Sequence, residues 1–482
     1  MFKKLLCSAL MATSFSSFAA FSPQQAINQL PKGSDVALLI VNPATNKVIY
    51  DKRADELQAP ASTQKTITAL AAKLYLGNNF RFDTYLETKG NNVILQFNGD
   101  PTLKRSDIAN LLRQLKQQGV TTIKGNLYLN GGHFTGYERA IGWPWDILGS
   151  CYSAPSSSIS LEHNCVQGAL YSNKSFGDVT RVNVPSHQPI KAQTSAIVVS
   201  KARQKEQHCQ LSMTSNDRNM YQISGCIQPR KEPLPLKFAV QNTTLYSTAI
   251  IQQELKRADI KLNGKVLRND KISGKIIATH RSAPLSTLLD IMLKRSDNLF
   301  ADNIAKTIGA KYYNQAGSYT NGIEAIKAIL KDKAGIDLSD TVMVDGSGLS
   351  RNNRLTASDL MKVVTYIYRH PQLGLMNDLP VSGKSGTLQY RRSIRDIPLK
   401  GKIIAKSGSL FGTYNLAGVM NTQNAKPLLF VQLVTNYYPH MHDGEKAALP
   451  PIYQFEKQLY NSLYKSYINS ACYNTKATIH FL

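Results

Sequence analysis

Three short polar motifs stand in a fixed order along this chain, and a long gap separates the first from the second. They are Ser62-Thr63-Gln64-Lys65, Ser296-Asp297-Asn298 and Lys406-Ser407-Gly408. About 230 residues lie between Lys65 and Ser296, so a fold that unites the motifs must accommodate an insertion large enough for a core of its own. The chain has 482 residues, which predicts two or more domains.

None of the motifs is specific by itself, because each pattern recurs elsewhere. Ser462-Leu463-Tyr464-Lys465 also fits S-x-x-K, Ser350-Arg351-Asn352 fits S-x-N, and Lys384-Ser385-Gly386 repeats the third motif. In isolation, Ser62 or Ser296 would be interpreted as a helix cap. The interpretation therefore depends on the order of the motifs and on their local context.

The first motif indicates a serine nucleophile with a lysine base. Pro60-Ala61-Ser62 begins a helix whose apolar residues recur at helical spacing until Gly77 ends it. Positions i and i+3 share a helix face, so the amine of Lys65 can approach the hydroxyl of Ser62. Lysine acts as a base only when burial or nearby positive charge lowers its pKa. We expect Lys406 to supply that charge.

The second and third motifs predict the other polar groups of the site. Ser296 lies between two amphipathic helical segments, and this loop can point Ser296 and Asn298 into a cleft. Ser296 would relay a proton to the leaving amine, and Asn298 would hold the substrate amide and the lysine. The charge of Lys406 and the hydroxyl of Ser407 suit a substrate carboxylate.

Local context favours Lys406 over Lys384 as the lysine of the third motif. Lys406 ends an apolar strand at residues 403–405, and Gly408-Ser409-Leu410 leads into a turn and a returning strand. An edge strand of this kind can pair with an extended substrate backbone. Lys384 is flanked by polar and turn-forming residues and is predicted to lie in a loop.

Hydrophobic periodicity predicts two kinds of region. Residues 36–50 form a β-hairpin, and residues 402–434 form an antiparallel meander that a helix at 453–467 covers. The early hairpin can join the same sheet, so that this domain is assembled from both ends of the chain. Residues 82–240 are predicted to be a mostly β insertion with two nested subdomains.

The N-terminus has the features of a secretory signal. Lys3 and Lys4 precede an apolar stretch at residues 5–18, and small residues ending at Ala20 suit cleavage. We therefore expect residues 1–20 to be removed and the chain to work outside the cytoplasm.

Cysteine usage agrees with export. Cys151, Cys165, Cys209 and Cys226 fall in one stretch of the insertion, and four cysteines allow three pairings among which the sequence does not choose. A zinc site is the competing interpretation, although no C-x-x-C or H-x-x-x-H spacing supports it. Cys472 is left over near the end. We predict no metal and no cofactor.

The chain is strongly basic, with 57 Lys and Arg against 32 Asp and Glu and a net charge of +25. Such a charge attracts polyanions, which include anionic lipid, nucleic acid and carboxylate-rich wall polymer. Export and the lack of a nucleic-acid-binding motif argue against nucleic acid. Loose peripheral association with a membrane and a merely solvated basic surface both stay open.

Together the motifs resemble those of the class C low-molecular-mass penicillin-binding proteins. S-x-x-K with S-D-N and K-T-G is the signature of penicillin-binding proteins and class A β-lactamases. The gap after Lys65 favours class C, whose members carry nested domains there. Ser407 is one departure, because the family usually has threonine. The matching segments are Pro60 to Lys65, Lys294 to Asn298, Asp345 to Arg351, Lys406 to Leu410 and Tyr414 to Gly418.

The resemblance implies a periplasmic serine DD-peptidase that acts on peptidoglycan stem peptides and binds β-lactam antibiotics covalently. It would be a carboxypeptidase on D-alanyl-D-alanine ends, an endopeptidase on D-alanyl-diaminopimelate cross-links, or both. Ser62 would be the nucleophile, Lys65 its proton acceptor and Ser296 a proton-transfer partner. The N–H groups of Ser62 and Ser409 would form the oxyanion hole, and Arg351 and Asp146 would hold the diaminopimelate side chain. The implied substrate-binding residues are Asn298, Lys406, Ser407, Gly408, Ser409, Arg351 and Asp146.

The implied fold is α/β of the α+β type, namely the serine β-lactamase/DD-peptidase-like transpeptidase fold, with an antiparallel sheet flanked by helices. We expect this domain to comprise residues 21–81 and 241–468, the mostly β insertion residues 82–240, and a C-terminal tail residues 469–482.

Two other functions stay open. A β-lactamase needs fast deacylation, usually by the glutamate of an E-x-x-L-N pattern, which the sequence lacks between Asn298 and Lys406. A catalytically weak wall-binding protein would fit the positive charge and the large insertion, but all the catalytic residue types are present.

Overall fold

The structure is a computed structural model that describes residues 21–439 and 449–465. The predicted signal segment at residues 1–20, Cys472 and the predicted tail at residues 469–482 lie outside the described residues. Within the described ranges, no helix has the length and apolar character needed to cross a membrane.

Strands and helices have the following bounds. The strands are β1 (Asp35–Val41), β2 (Val48–Lys52), β3 (Asp83–Lys89), β4 (Asn92–Gln96), β5 (Thr122–Ile123), β6 (Leu127–Asn130), β7 (Cys165–Tyr171), β8 (Arg181–Asn183), β9 (Lys191–Thr194), β10 (Ile197–Val198), β11 (Ser212–Ser215), β12 (Met220–Ser224), β13 (Cys226–Ile227), β14 (Leu234–Ala239), β15 (Lys261–Leu262), β16 (Val266–Arg268), β17 (Lys275–Arg281), β18 (Ile403–Leu410), β19 (Thr413–Asn421) and β20 (Pro427–Thr435). The helices are α1 (Gln24–Ile27), α2 (Lys65–Tyr75), α3 (Arg105–Gln117), α4 (Lys201–Glu206), α5 (Thr243–Arg257), α6 (Leu285–Arg295), α7 (Asn298–Tyr313), α8 (Tyr319–Ala334), α9 (Ala357–Arg369), α10 (Leu375–Asp378) and α11 (Pro451–Lys465).

One antiparallel sheet is assembled from both ends of the chain. Its strand order is β18-β19-β20-β1-β2, and β1 pairs with β20 along its whole length, with Ile40 opposite Phe430. The prediction that the early hairpin joins the C-terminal meander is therefore confirmed. Both β1 and β20 are apolar at successive positions because each face of the sheet is covered.

The two faces of this sheet bury separate cores. Leu39 packs into the core shared with α2, α6, α7, α8 and α9, whereas Leu38 and Ile40 pack into the core shared with α11. Successive side chains of a strand point to opposite faces, which explains this division. A buried ion pair between Arg391 and Glu456 joins α11 to the loop before β18, and Gln432 of β20 donates from Nε2 to Glu456 Oε1 at 3.1 Å.

A second sheet lies in the insertion, in the strand order β16-β6-β4-β3-β17. Its apolar core includes residues of α3 and α5. Because β17 pairs with β3, with Thr279 opposite Tyr85, this sheet continues to Arg281. The predicted end of the insertion at residue 240 therefore falls before its last strands. Periodicity reports the local structure of a segment, whereas the pairing of distant strands decides which sheet it joins.

Smaller sheets form a nested part of the insertion between β7 and β14. There β7 pairs with β14 and β8, while β12 pairs with β9 and β11. Disulfides join Cys151 to Cys165 and Cys209 to Cys226, which is the most local of the three possible pairings. The zinc interpretation is therefore wrong, since these sulfurs are already bonded to each other.

Candidate active site

The chain before Ser62 is anchored to the first sheet. Asn415 of β19 donates from Nδ2 to the carbonyl oxygens of Ala59 and Pro60, each at 2.8 Å. A short 3-10 helix (Ala61–Gln64) follows and continues into α2. Ser62 lies inside this turn, whose N-cap position is occupied by Pro60. The helix-cap interpretation of Ser62 is therefore wrong, and its hydroxyl is left for another partner.

The amine of Lys65 joins three segments of the chain. Its Nζ donates to Ser62 Oγ at 2.9 Å, to Asn298 Oδ1 at 2.6 Å and to the Ser347 carbonyl oxygen at 2.7 Å. Lys65 is 0% exposed, so these oxygens replace the water that an ammonium group would otherwise bind. The half-buried serine hydroxyl and the buried lysine amine therefore lie in direct contact.

Ser296 lies where α6 ends and α7 begins. It has a left-handed backbone with φ +58°, and Asp297 caps α7 by accepting the Phe300 N–H at 3.1 Å. The interpretation of Ser296 as the N-cap of the next helix is therefore wrong, since Asp297 occupies that position and Ser296 is the C-cap of α6. Ser296 Oγ instead accepts a hydrogen bond from Lys406 Nζ at 2.9 Å. A strained residue of this kind persists only where its surroundings hold it.

The third motif lies on β18, an edge strand of the first sheet. Lys406 is buried, and its Nζ also donates to the Ser407 carbonyl oxygen at 2.7 Å. Lys384 lies in a turn in which its N–H donates to the Val381 carbonyl oxygen at 3.0 Å. The structure therefore brings Lys406, and not Lys384, to Ser296.

The close approach of β18 to the turn that carries Ser62 depends on Gly408. A Cβ atom at this position would lie 2.7 Å from Pro60 O and 3.1 Å from Ser62 N. A larger residue would therefore push β18, with Ser409, away from the nucleophile.

Burial lowers the pKa of both lysines. It lowers the pKa of Lys65 to about 8, while three nearby carboxyl groups act in the opposite direction. Burial also lowers the pKa of Lys406 well below its usual range, and the charges of Lys65 and Arg391 add to this effect. Burial is therefore the main cause of the lowered pKa of Lys65, contrary to the expectation that the charge of Lys406 lowers it.

The three carboxyl groups near Lys65 are those of Asp302, Asp345 and Asp297. Burial and the charge of Asp345 raise the pKa of Asp302 well above its usual range, which favours its neutral form. Burial alone would raise the pKa of Asp297, but His163, the Phe300 N–H and Lys65 together outweigh it, and the net shift is downward. Protonation of Asp302 and the pairing of Asp297 with His163 therefore both limit the negative charge beside Lys65.

Asp345 organises the loop that supplies the Ser347 carbonyl group. Gly348 in this loop has φ +80°, and a Cβ atom there would lie 1.9 Å from Ala61 O, so the loop packs directly on the turn before Lys65. The Asp345 carboxylate accepts N–H groups at 2.7 to 3.0 Å from Trp143 Nε1, Asn353 Nδ2 and the backbone of Gly348 and Ser350.

Arg351 and Asp146 line one cavity of about 830 Å³ at the end of β18, together with Tyr152, Ser409 and Phe411. Arg351 Nη1 donates to the Phe411 carbonyl oxygen at 2.8 Å. Burial raises the pKa of Tyr152, and the charge of Asp146 adds to this whereas that of Arg351 opposes it. The cavity therefore presents a cation and a carboxylate close to the third motif.

Three contacts of the site were not predicted from the sequence. Ser347 lies in a segment that was matched as a whole, without a role for its carbonyl oxygen. The Tyr152 carbonyl oxygen accepts from Asn298 Nδ2 at 2.6 Å, and the Thr387 hydroxyl lies 2.6 Å from Ser407 Oγ. The available signals were indirect, since Tyr152 adjoins Cys151 and Thr387 follows the repeated K-S-G.

Several known proteins are similar to this chain. The model of a family described as D-Ala-D-Ala carboxypeptidase 3 (S13) matches residues 23–459. The chain is 37% identical over 472 residues to a D-alanyl-D-alanine carboxypeptidase DacB of Haemophilus influenzae, which covers 95% of this chain and 98% of that protein. It is 26% identical over 418 residues to a D-alanyl-D-alanine carboxypeptidase of an Actinomadura species, covering 80% of this chain and 75% of the relative.

Solved structures of penicillin binding protein 4 (dacB) from Haemophilus influenzae are also similar. One has a TM-score of 0.86 at 37% identity and covers 92% of this chain and 99% of its own. A second, complexed with a β-lactam, has a TM-score of 0.81 at 36% identity with the same coverage. The expected α+β fold, with an antiparallel sheet flanked by helices, is thereby confirmed. On both sequence and structure, the chain belongs to the D-Ala-D-Ala carboxypeptidase 3 (S13) family.

Proposed function

We propose that this chain is a serine DD-peptidase of peptidoglycan that works through an acyl-enzyme on Ser62. It would cleave D-alanyl-D-alanine ends, D-alanyl-diaminopimelate cross-links, or both. The observation that carries the proposal is the buried Lys65 amine, 2.9 Å from Ser62 Oγ and with its pKa lowered to about 8. Membership of the S13 family supports the same conclusion.

Acylation begins when neutral Lys65 takes the proton of Ser62 and Oγ attacks the carbonyl carbon of the penultimate D-alanine. The carbonyl oxygen becomes an oxyanion, for which the N–H groups of Ser62 and Ser409 are the proposed donors. Gly408 supports this assignment, because it lets β18 approach the Ser62 turn.

Collapse of the oxyanion breaks the peptide bond and leaves an ester on Ser62. The departing amine needs a proton, and Ser296 is the proposed relay, since its Oγ accepts from Lys406 Nζ at 2.9 Å. Water then attacks the ester, Ser62 recovers its proton, and the shortened stem peptide is released.

The substrate would lie as an extended strand along β18, with its amide near Asn298. Its terminal carboxylate would be bound by the amine of Lys406 and the hydroxyl of Ser407. Thr387 joins this group, because its hydroxyl lies 2.6 Å from Ser407 Oγ. This hydrogen bond restricts the hydroxyl of Ser407, which lacks the methyl group of the usual family threonine.

The cavity between Arg351 and Asp146 is the proposed site of the diaminopimelate side chain. That side chain ends in an amine and a carboxylate on one carbon. Arg351 suits the carboxylate and Asp146 the amine. The cavity adjoins Ser409, so a side chain bound there lies beside a backbone bound along β18.

The proposal includes export to the periplasm and loose adhesion to anionic surfaces through the net charge of +25. Cell fractionation checks both parts. Adhesion of this kind is released by high salt, and a cytoplasmic protein or a salt-resistant membrane protein would contradict it.

Replacing Ser62 with alanine should abolish covalent labelling by a fluorescent penicillin, because no acyl-enzyme can form. Digestion of purified muropeptides, read by mass spectrometry, should stop as well. The matched control is Ser462→Ala, which removes the serine of the S-x-x-K pattern on α11 and should leave labelling intact. A label that survives Ser62→Ala would contradict the mechanism, and rapid release of hydrolysed penicillin by the unmodified protein would favour a β-lactamase.

Acylation should become faster as the pH rises through about 8, the pKa of buried Lys65. Burial destabilises the charged amine, so the base is neutral above this pH and protonated below it. Well below it, the rate should fall by about tenfold per pH unit. Stopped-flow labelling with penicillin between pH 6 and pH 10 measures the profile, and circular dichroism at each pH confirms that the fold is intact. A flat profile would exclude Lys65 as the base.

Replacing Thr387 with valine should weaken the binding of the substrate carboxylate. Losing one hydroxyl hydrogen bond to a charged group predicts an increase in KM of about tenfold, with a smaller change in kcat. The matched control is Thr387→Ser, which keeps the hydroxyl and should behave like the unmodified protein. An unchanged KM for Thr387→Val on a D-alanyl-D-alanine peptide would rule out this role.

Replacing Arg351 with alanine should reduce the preference for diaminopimelate over lysine in the stem peptide. The loss of one charged hydrogen bond predicts about a tenfold fall in kcat/KM for the diaminopimelate peptide and little change for the lysine peptide. Arg113→Ala, at an exposed position of α3, is the control. Equal losses on both peptides would mean that Arg351 supports the fold of the loop and not the choice of side chain.

A further inference from the structure

We propose that His163, on the inserted region, is a positioning residue that keeps the Asp297 carboxylate paired, so that Lys65 can act as a base. The inference rests on the proposed function, in which Lys65 activates Ser62. It assigns a catalytic contribution to the insertion, at a residue that lies outside the three motifs.

The ion pair joins the insertion to the second motif. His163 Nε2 lies 2.7 Å from Asp297 Oδ2, and the Asp297 side chain is only 16% exposed. Asp297 also caps α7, and the next residue, Asn298, accepts from Lys65 Nζ at 2.6 Å. A change at His163 can therefore affect Lys65 in two ways: through the charge of the Asp297 carboxylate, and through the position of Asn298 at the start of α7.

The backbone that carries His163 is held in an unusual conformation. Glu162, His163 and Asn164 all have left-handed backbones, with φ of 53°, 60° and 47°. Such conformations are energetically costly in non-glycine residues. Cys165 follows directly and is bonded to Cys151. The segment therefore needs strong external support to keep the imidazole beside Asp297.

The same disulfide supports a second contact with the motif. Tyr152 follows Cys151, and its carbonyl oxygen accepts from Asn298 Nδ2 at 2.6 Å. One half of the disulfide is next to Tyr152 and the other is two residues from His163, and both of these residues contact the S-D-N loop. The insertion therefore contacts two successive residues of this loop, Asp297 and Asn298.

Charge on His163 depends on its surroundings. Burial opposes protonation, but Asp297 more than reverses this effect, so the pKa of His163 is raised. Arg295 at the end of α6 and Lys237 on β14 act against the cation, and the ring of Phe300 packs 5.9 Å away. The cation is therefore present below this raised pKa and is lost as the pH rises through it.

The consequence for Lys65 follows from the sign of the Asp297 charge. That charge raises the pKa of Lys65 and so favours the protonated, inactive amine. A cation at His163 compensates the carboxylate and favours the neutral amine. Removing the cation should move the acid limb of the acylation profile to higher pH, whereas a loosened loop alone would lower the rate equally at all pH values.

The test is the rate of Ser62 labelling by a fluorescent penicillin from pH 5 to pH 10. In His163→Gln the acid limb should shift upward, and the rate near neutral pH should fall by about tenfold. His163→Arg keeps a cation at every pH, so its acid limb should match that of the unmodified protein at low pH. Its rate relative to the unmodified protein should then rise as His163 in the latter loses its proton.

His187→Gln, which changes an exposed histidine of the insertion, is the matched control and should leave the profile unchanged. An unshifted acid limb in a labelled His163→Gln protein would overturn the inference while leaving the proposed function intact. If His163→Gln does not fold, a constant rate ratio between His163→Arg and the unmodified protein would overturn it. Failure of the unmodified protein to label would overturn the proposed function, and the inference with it.

Discussion

A single buried amine is the constraint on which this site depends. Lys65 must be removed from water to become a base, and a buried lysine must then find oxygen acceptors in the protein. The chain meets this need with Ser62 Oγ, Asn298 Oδ1 and the Ser347 carbonyl oxygen. These groups are far apart in sequence, so the domain has to be packed before the lysine is held. The basicity of the Lys65 Nζ atom thus depends on the tertiary structure around it.

The architecture follows from bringing those segments together. A sheet built from both ends of the chain provides the frame, and Asn415 on that sheet anchors the residues before Ser62. Gly408 lets the edge strand press against the same turn. The Asp345 carboxylate then fixes the loop that supplies the third acceptor. Each support acts on backbone geometry, which explains why glycines and buried polar groups surround the reactive serine.

The insertion contributes to the site as well as adding mass to the chain. It begins soon after the nucleophile helix and returns before the second motif, and its Cys151–Cys165 segment lies against the S-D-N loop. Contacts from Tyr152 and His163 reach Asn298 and Asp297. One wall of the cavity near Arg351 also comes from this region, through Asp146. The insertion therefore shapes both the lysine's surroundings and the proposed pocket for the substrate side chain.

The sequence by itself determined what local chemistry can specify: the serine and lysine on one helix face, the strand that ends in Lys406, and the order of motifs that indicates the family. It did not determine the contacts of Thr387, Tyr152 and His163, because nothing in their flanking residues reveals a partner far away in the chain. Nor did it locate the end of the insertion, since the pairing of β17 with β3 is a long-range choice. Only the tertiary structure decided that burial, more than Lys406, lowers the pKa of Lys65, because burial is a property of the packed fold and not of any single segment.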